Sequence, residues 1–275
     1  MFKTLFFILL MSGSSVLWAQ RTVSLAPNLT ETLFALGLGE KVVGVTDYCL
    51  FPPEAQTKTS VGGYLDPSLE RIVGLQPDLV VCLPEHQTIR IQLEQLGLKV
   101  LEIQNYSLAD LYNMISQLGS VFQVQAEATA LSEKIQSDLA AVKCERDPKL
   151  RVLAIVGRDY GMGIRELYCV GSKGFMNEIL EWTGMQSAVE SQANFFPQVG
   201  AEGVVQMDPD IILDLVMGNG EWDSAKIKAD WQQLQNLRAV QEQHVYVLAD
   251  PMIFVPGPRV ASSVKRLLDV VGCPE

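Results

Sequence analysis

The chain has 275 residues, 48% of them apolar, with a formal charge of −11, two histidines and five cysteines. That acidity disfavours nucleic acid and anionic membrane surfaces as partners, and two histidines without a Cys-x-x-Cys or Cys/His cluster cannot build a typical zinc site. A chain of this length can hold two lobes, each with a core of ordinary size.

Residues 1–19 carry Lys3, the apolar run Leu5 to Met11 and small residues up to Leu17-Trp18-Ala19, which is the pattern of a secretory leader cut near Ala19. The run is too short to cross a bilayer, and no later stretch reaches about 18 uncharged apolar residues. With no cysteine at the cut to carry a lipid, the expectation is a soluble periplasmic monomer. After the leader, Arg21 to Leu25 reads as a strand, Thr30 to Leu36 as a helix and Val42 to Thr46 as a second strand. Asp66 is placed to cap a helix starting at Pro67, followed by strand Leu79 to Leu83, helix Thr88 to Leu96 and strand Lys99 to Ile103. This alternation predicts an open parallel sheet with helices on both faces.

The rhythm breaks at Ser107. Helical spacing runs from Ser107 to Leu118 and from Val124 to Lys143, where Ala130, Leu131, Ile135, Leu139 and Val142 recur at threes and fours without Gly or Pro. A helix of about 20 residues spans about 30 Å, a small domain's width, so the second stretch is expected to join two lobes. The later lobe reads as strand Arg151 to Val156, a helix near Lys173 to Trp182, strand Ile211 to Leu215, a helix near Ser224 to Leu234, strand His244 to Leu248 and a last helix entered at Pro258. The resulting division is a leader (1–19), a first α/β lobe (20–122), a connecting helical segment (123–147) and a second α/β lobe (148–275). Of Cys49, Cys82, Cys144, Cys169 and Cys273, at least one must stay unpaired in an oxidising compartment. Cys49 and Cys82 end predicted strands and are placed either to pair near a ligand or to lie buried as thiols.

The two lobes repeat one plan. Glu70-Arg-Ile-Val-Gly-Leu-Gln-Pro77-Asp78-Leu-Val-Val returns 132 residues later as Glu202-Gly-Val-Val-Gln-Met-Asp-Pro209-Asp210-Ile-Ile-Leu. In each copy a glutamate opens a short helix, Pro-Asp ends it and an apolar run follows as a buried strand. Thr32-Leu-Phe-Ala-Leu-Gly37 and Ile179-Leu-Glu-Trp-Thr-Gly184 are likewise both helix ends stopped by glycine, the second ahead of an expected strand at Ala188–Val189. A ligand can lie between the copies, and the two glutamates can face one partner together.

Two α/β lobes, one long helix and Glu-x6-Pro-Asp in each lobe resemble the ABC-transporter substrate-binding proteins with a rigid helical backbone, which bind cobalamin, iron-siderophores or haem. The resemblance covers the whole chain after the leader and includes Val23-Ser-Leu-Ala-Pro-Asn-Leu-Thr-Glu31, Val43-Gly-Val-Thr-Asp-Tyr48 with Pro52-Pro53, and Pro197-Gln-Val ahead of Glu202. It implies two Rossmann-like lobes with a ligand cleft between them. It is closest to the cobalamin-binding members, and so implies that Tyr48, Tyr64 and Phe196 lay aromatic faces against a corrin. Tyr64 and Phe196 stand where those members have tryptophan, Leu83 where they have another, and Thr183 replaces a cysteine that forms a disulfide in them. His86, just past the third expected strand, is a candidate to ligate haem iron or touch a metal complex, or else a surface histidine. Tyr160 and Trp222 are cleft candidates on second-lobe loops, and Arg158 or Arg165 would suit an anionic siderophore. Glu70 and Glu202 are expected to meet arginines on the two permease subunits.

The reading is thus a non-catalytic solute receptor for a cobalamin-like corrinoid serving an inner-membrane ABC importer, with an iron-siderophore or haem as the alternative cargo. An exported two-lobed enzyme is the rival from another class, but the chain has no Gly-x-Ser-x-Gly, no Gly-x4-Gly-Lys-Ser/Thr and no His-Glu-x-x-His. No catalytic cofactor is expected.

Overall fold

In the computed structural model, which describes residues 21–191, 194–216 and 222–274, the chain alternates strand and helix through two sheets. The expected leader falls on residues outside those described. The first half runs β1 (Thr22–Ser24), α1 (Pro27–Ala35), β2 (Val42–Val45), β3 (Thr59–Ser60), α2 (Leu69–Gly74), β4 (Leu79–Cys82), α3 (Gln87–Gln95) and β5 (Val100–Glu102). Two helices follow, α4 (Leu108–Phe122) and α5 (Gln125–Val142). The second half runs β6 (Leu150–Gly157), β7 (Glu166–Cys169), α6 (Phe175–Trp182), β8 (Met185–Ser187), β9 (Gln198–Gly200), α7 (Ala201–Met207), β10 (Ile211–Val216), α8 (Ser224–Asp230), α9 (Arg238–Gln241), β11 (Val245–Ala249) and α10 (Val260–Val271). Among these helices none is long and apolar enough to cross a membrane.

The first sheet is all parallel in the order β3-β2-β1-β4-β5. The second has the order β11-β10-β6-β7-β9, with β8 parallel to the start of β6 and β7 antiparallel to its end. The repeated plan extends to one hydrogen-bonded exchange in each lobe. In the first lobe the Arg21 amide donates to Asp78 Oδ2 at 2.9 Å and the Asp78 amide returns to the Arg21 carbonyl at 2.8 Å. In the second, Arg151 and Asp210 repeat that exchange at 2.7 and 2.8 Å. Each arginine also reaches the carbonyl two residues before the Pro-Asp proline, Leu75 or Met207. Gly37 and Gly184 end α1 and α6 with φ of +74° and +71°, a left-handed turn that favours glycine.

Several boundaries differ from the sequence reading. Ser68, not Asp66, caps α2, accepting from the Arg71 amide, because Pro67 is held in a bridge to Gly62 and the helix cannot start there. Pro258 precedes α10 by two residues rather than opening it. The expected strand at Ala188–Val189 is β8, three residues earlier. The β7 and β9 strands were not anticipated, so the second sheet is mixed rather than parallel throughout.

Three layers of core result. Strand residues Val23, Val80 and Cys82 pack outward with α2 and α3 residues Ile72, Ile89 and Leu93. In the second lobe Leu153, Ile155 and Ile212 pack outward with Val204, Trp231 and Val240. Their opposite faces meet in one continuous cluster, in which Leu29, Val45 and Val81 of the first lobe and Ala154, Ile179 and Leu213 of the second join Leu111, Ile115, Ile135, Leu139, Val264 and Leu267 from α4, α5 and α10. The 18-residue α5, about 27 Å long, lies against α4 and α10. A disulfide joins Cys144 just past α5 to Cys273 just past α10, and the Arg146 guanidinium donates to the carbonyls of Thr183 and Gly272. Cys49 and Cys82 do not pair; with Cys169 they are buried thiols.

Candidate functional site

Parallel strands send their following loops to one edge of a sheet, where ligands of α/β proteins bind. Here those loops carry large apolar side chains held in water. After β2 come Tyr48, 63% exposed, with Leu50 and Phe51; after β3, Leu65; after β5, Tyr106. The second lobe contributes Met162 after β6, Phe195 and Phe196 (46%) before β9, and Trp222 (38%) after β10. Exposed apolar area on the loops after β2, β3, β5, β6 and β10 is the mark of a binding surface, and Phe195, although it precedes β9, joins it by stacking on Tyr106.

The halves touch at this edge. The Tyr106 ring stacks on Phe195 with centroids 5.4 Å apart and planes at 14°, while the Phe175 amide donates to the Tyr106 carbonyl at 2.7 Å and the Leu108 amide to Glu178 Oε2 at 2.5 Å. Neither Tyr106 nor Phe195 was anticipated, although Phe195 adjoins Phe196 in a Phe-Phe-Pro run.

Of the anticipated residues, Tyr64 meets His86 edge to face at 5.0 Å, and its hydroxyl donates to Glu85. Burial and Glu85 together raise the Tyr64 phenol far above its ordinary value, so it stays protonated. His86 is a correction: it is neither a ligand reaching into the cleft nor a surface residue, but 2% exposed. Its Nδ1 accepts from the Leu83 amide at 3.0 Å and its Nε2 donates to the Tyr64 carbonyl at 2.8 Å, so both nitrogens are committed. Burial lowers its pKa below the usual 6.5 and keeps the ring neutral. Leu83 is also corrected. At 1% exposure it belongs to the shared core, because one residue past β4 the extended chain turns its side chain to the face opposite Cys82.

In the second lobe Tyr160 and Trp222 meet edge to face at 5.2 Å, and the Tyr160 ring lies 4.7 Å from the Arg158 guanidinium. Arg158 does not stand free for an anionic siderophore, as the sequence suggested it could. Its side chain is 1% exposed and donates to Asp214 at 2.9 and 3.2 Å, to Asp230 at 2.6 Å and to the Ile227 carbonyl at 3.0 Å. Trp231 Nε1 donates to the same Asp214 at 2.8 Å. Burial pushes the Asp214 carboxyl up against the pull of Arg158 and Trp231. Burial also raises Asp230, but Arg158 and the Gly161 and Gly163 amides outweigh it and hold that group below the usual carboxylate range. The network ties loop 157–163 to α8, and so fixes the ledge on which Tyr160 and Trp222 sit. A signal for it was present: an aspartate in the middle of the buried run Ile211 to Val216 requires a partner.

Glu70 and Glu202 occupy the first turns of α2 and α7, exposed, and make no ion pair among the described residues. Two residues on, Ile72 and Val204 are fully buried and anchor each helix; one further on, Val73 and Val205 are exposed. Among the described residues no group of three or more His, Cys, Asp or Glu side chains is arranged to hold a metal ion.

A family model for periplasmic binding proteins matches residues 23–252. The chain belongs to that family. As a member it is a solute-binding protein and not an enzyme. The vitamin B12-binding protein of Vibrio parahaemolyticus serotype O3:K6 is 27% identical over 250 residues, 89% of this chain and 86% of that one. An ABC transporter substrate-binding lipoprotein of Bacillus subtilis (strain 168) is 28% identical over 263 residues, 92% and 80% of the two chains. Among solved structures, a possible iron-binding (periplasmic solute-binding) protein from Staphylococcus epidermidis superposes with a TM-score of 0.79 at 20% identity, covering 91% of this chain and 98% of that one. A periplasmic heme-binding protein in complex with two hemes gives 0.75 at 21%, covering 90% and 98%. At these identities the structural likeness establishes the fold of this binding protein and not its cargo.

Proposed function

We propose that this periplasmic binding protein captures a cobalamin-like corrinoid between its lobes and hands it to an inner-membrane ABC importer, the mature protein being a monomer released by cleavage near Ala19. The observation that carries the reading is the ring area exposed on the loops, while the two expected metal neighbours, His86 and Tyr64, are committed to protein partners. Both His86 nitrogens are committed, and the Tyr64 hydroxyl is bound to Glu85 and held protonated. Exposed rings suit a cargo gripped by its faces, as a corrinoid is, whereas a haem would have to take its axial ligand from a side chain such as Tyr48 or Met162 rather than from His86 or Tyr64. Tyr48, Tyr64, Phe196, Tyr160 and Trp222 supply ring area with few rotors to freeze. The relative named for vitamin B12 adds weight to this choice.

Isothermal titration of the purified protein is expected to give a one-to-one isotherm with cyanocobalamin. Heat with haemin or a ferric siderophore and none with cyanocobalamin would overturn the corrinoid and leave the receptor. Glu70 and Glu202 are read as the docking pair, since equivalent carboxylates on two similar lobes suit a two-fold related partner. Replacing both by alanine is expected to spare solute affinity and to abolish stimulation of the importer's ATPase in proteoliposomes; full stimulation by the double variant rules the docking role out.

A further inference from the structure

Arg259, immediately before α10, crosses from the second lobe to the first. Its Nε donates to Glu31 Oε2 at 2.9 Å and its Nη2 to Glu31 Oε1 at 2.5 Å, joining residues 228 apart in the chain. Glu31 lies on α1 and its side chain is 4% exposed. The partners approach closely at this point: a Cβ at Gly257 would lie 3.4 Å from the Glu31 carboxylate and 3.6 Å from the Asn28 Cα. The Cζ of the same guanidinium lies over the Phe51 ring, 3.9 Å from its centroid.

Phe51 is on the loop that carries Tyr48. The front of that loop is pinned by buried Cys49, whose sulfur accepts from Thr30 Oγ1 on α1 at 3.1 Å and lies 3.3 Å from Thr46 Oγ1. Its far side is held by Phe51 on Arg259, with Gln56 Nε2 donating to the Leu50 carbonyl at 2.8 Å. Tyr48, 63% exposed, therefore stands between one anchor from its own lobe and one from the other.

We infer that Arg259 is a positioning residue, which sets the Tyr48 loop from the opposite lobe and so fixes the first-lobe ring against the second-lobe half of the site. A planar guanidinium can form a bidentate pair with one edge and stack on a ring with its face; a lysine cannot do both. This inference rests on the binding role given to Tyr48 above, but its main test needs no ligand.

Hydrogen exchange with mass spectrometry on the full ligand-free protein compares the parent with Arg259→Lys, Arg259→Met and the double variant Glu31→Gln/Arg259→Met, the last of which leaves no unpaired buried carboxylate. Loss of the charged pair and the stack is expected to speed exchange in the 46–53 segment by about tenfold or more, the scale of one charge-assisted hydrogen bond. Exchange in β4, residues 79–82, is expected to be unchanged. The lysine variant also loosens the loop, because it keeps the charge and loses the face. Unchanged exchange at 46–53 in all three variants overturns the inference, and so does an equal rise at 46–53 and 79–82, which would mark general destabilisation. In a second arm, cyanocobalamin is expected to leave the variants about tenfold faster while binding at a nearly unaltered rate. A parent that binds no cyanocobalamin sinks the corrinoid reading alone, and the exchange result then decides the role of Arg259.

Discussion

Replacing Arg158 by methionine tests the ledge beneath Tyr160 and Trp222. The substitution keeps much of the side-chain length and removes the charge that compensates Asp214, fully buried, and Asp230, 9% exposed. Removing one partner of a buried ion pair costs about 3–5 kcal/mol, because the remaining charge is left without solvent or counter-ion. For a chain of this size each kcal/mol lowers the melting temperature by about 2–4 °C, so scanning calorimetry is expected to record a fall of about 6–20 °C. Adding Asp214→Asn neutralises the stranded carboxylate and leaves an amide oxygen for Trp231 Nε1, so the double variant is expected to recover part of the loss. At temperatures where the single variant remains folded, its cobalamin affinity is expected to fall too, since the Tyr160 ring loses the guanidinium against which it rests. A single variant within about 1 kcal/mol of the parent, or a double variant no better than the single, would refute this account of the network.

Alanine at Tyr48, Tyr64 or Phe196 is expected to weaken cobalamin binding by about 5- to 150-fold, from about 1–3 kcal/mol of buried ring area. Leu83→Ala is expected instead to cost about 2–5 kcal/mol of stability, because it opens a cavity in the core; a pure affinity loss there would return Leu83 to the cleft. Because burial holds the folded His86 pKa below 6.5, its contribution to stability is complete above about pH 6.5 and declines as pH drops below that value, where the unfolded chain takes up a proton that the folded one refuses. The parent's melting temperature is therefore expected to fall more steeply than that of His86→Asn between pH 6.5 and 5, and parallel slopes would contradict the buried neutral ring. The Cys144–Cys273 bond closes a loop of 129 residues, and its reduction is expected to remove about 2–4 kcal/mol; Cys273→Ser should melt at the same temperature with and without reductant.

Those parts of the molecule governed by local pattern were legible in the sequence. Pro77-Asp78 and Pro209-Asp210 end helices and open apolar runs, so β4 and β10 fall where they were expected, and the unbroken three-four spacing of 125–142 is α5. The antiparallel β7 has the exposed-buried alternation of a half-covered strand, but over four residues this is too short to separate from a loop. Side-chain environments were least legible. Whether His86 faces a cleft or a carbonyl depends on Tyr64, 22 residues away, and the Glu31–Arg259 pair spans 228 residues with no periodicity to announce it. The buried Arg158 could have been approached from the other side, since Asp214 within an apolar strand demanded a cation.

The apolar interior common to both halves bears on how this receptor signals that it is loaded. Swinging the lobes apart would drag residues such as Leu111, Ile135 and Val264 into water, at about 25 cal/mol for each Å² uncovered. Empty and filled forms are therefore expected to keep nearly the same silhouette. If they do, a transporter would have to recognise the cargo's own exposed edge rather than a change of posture in the protein around it.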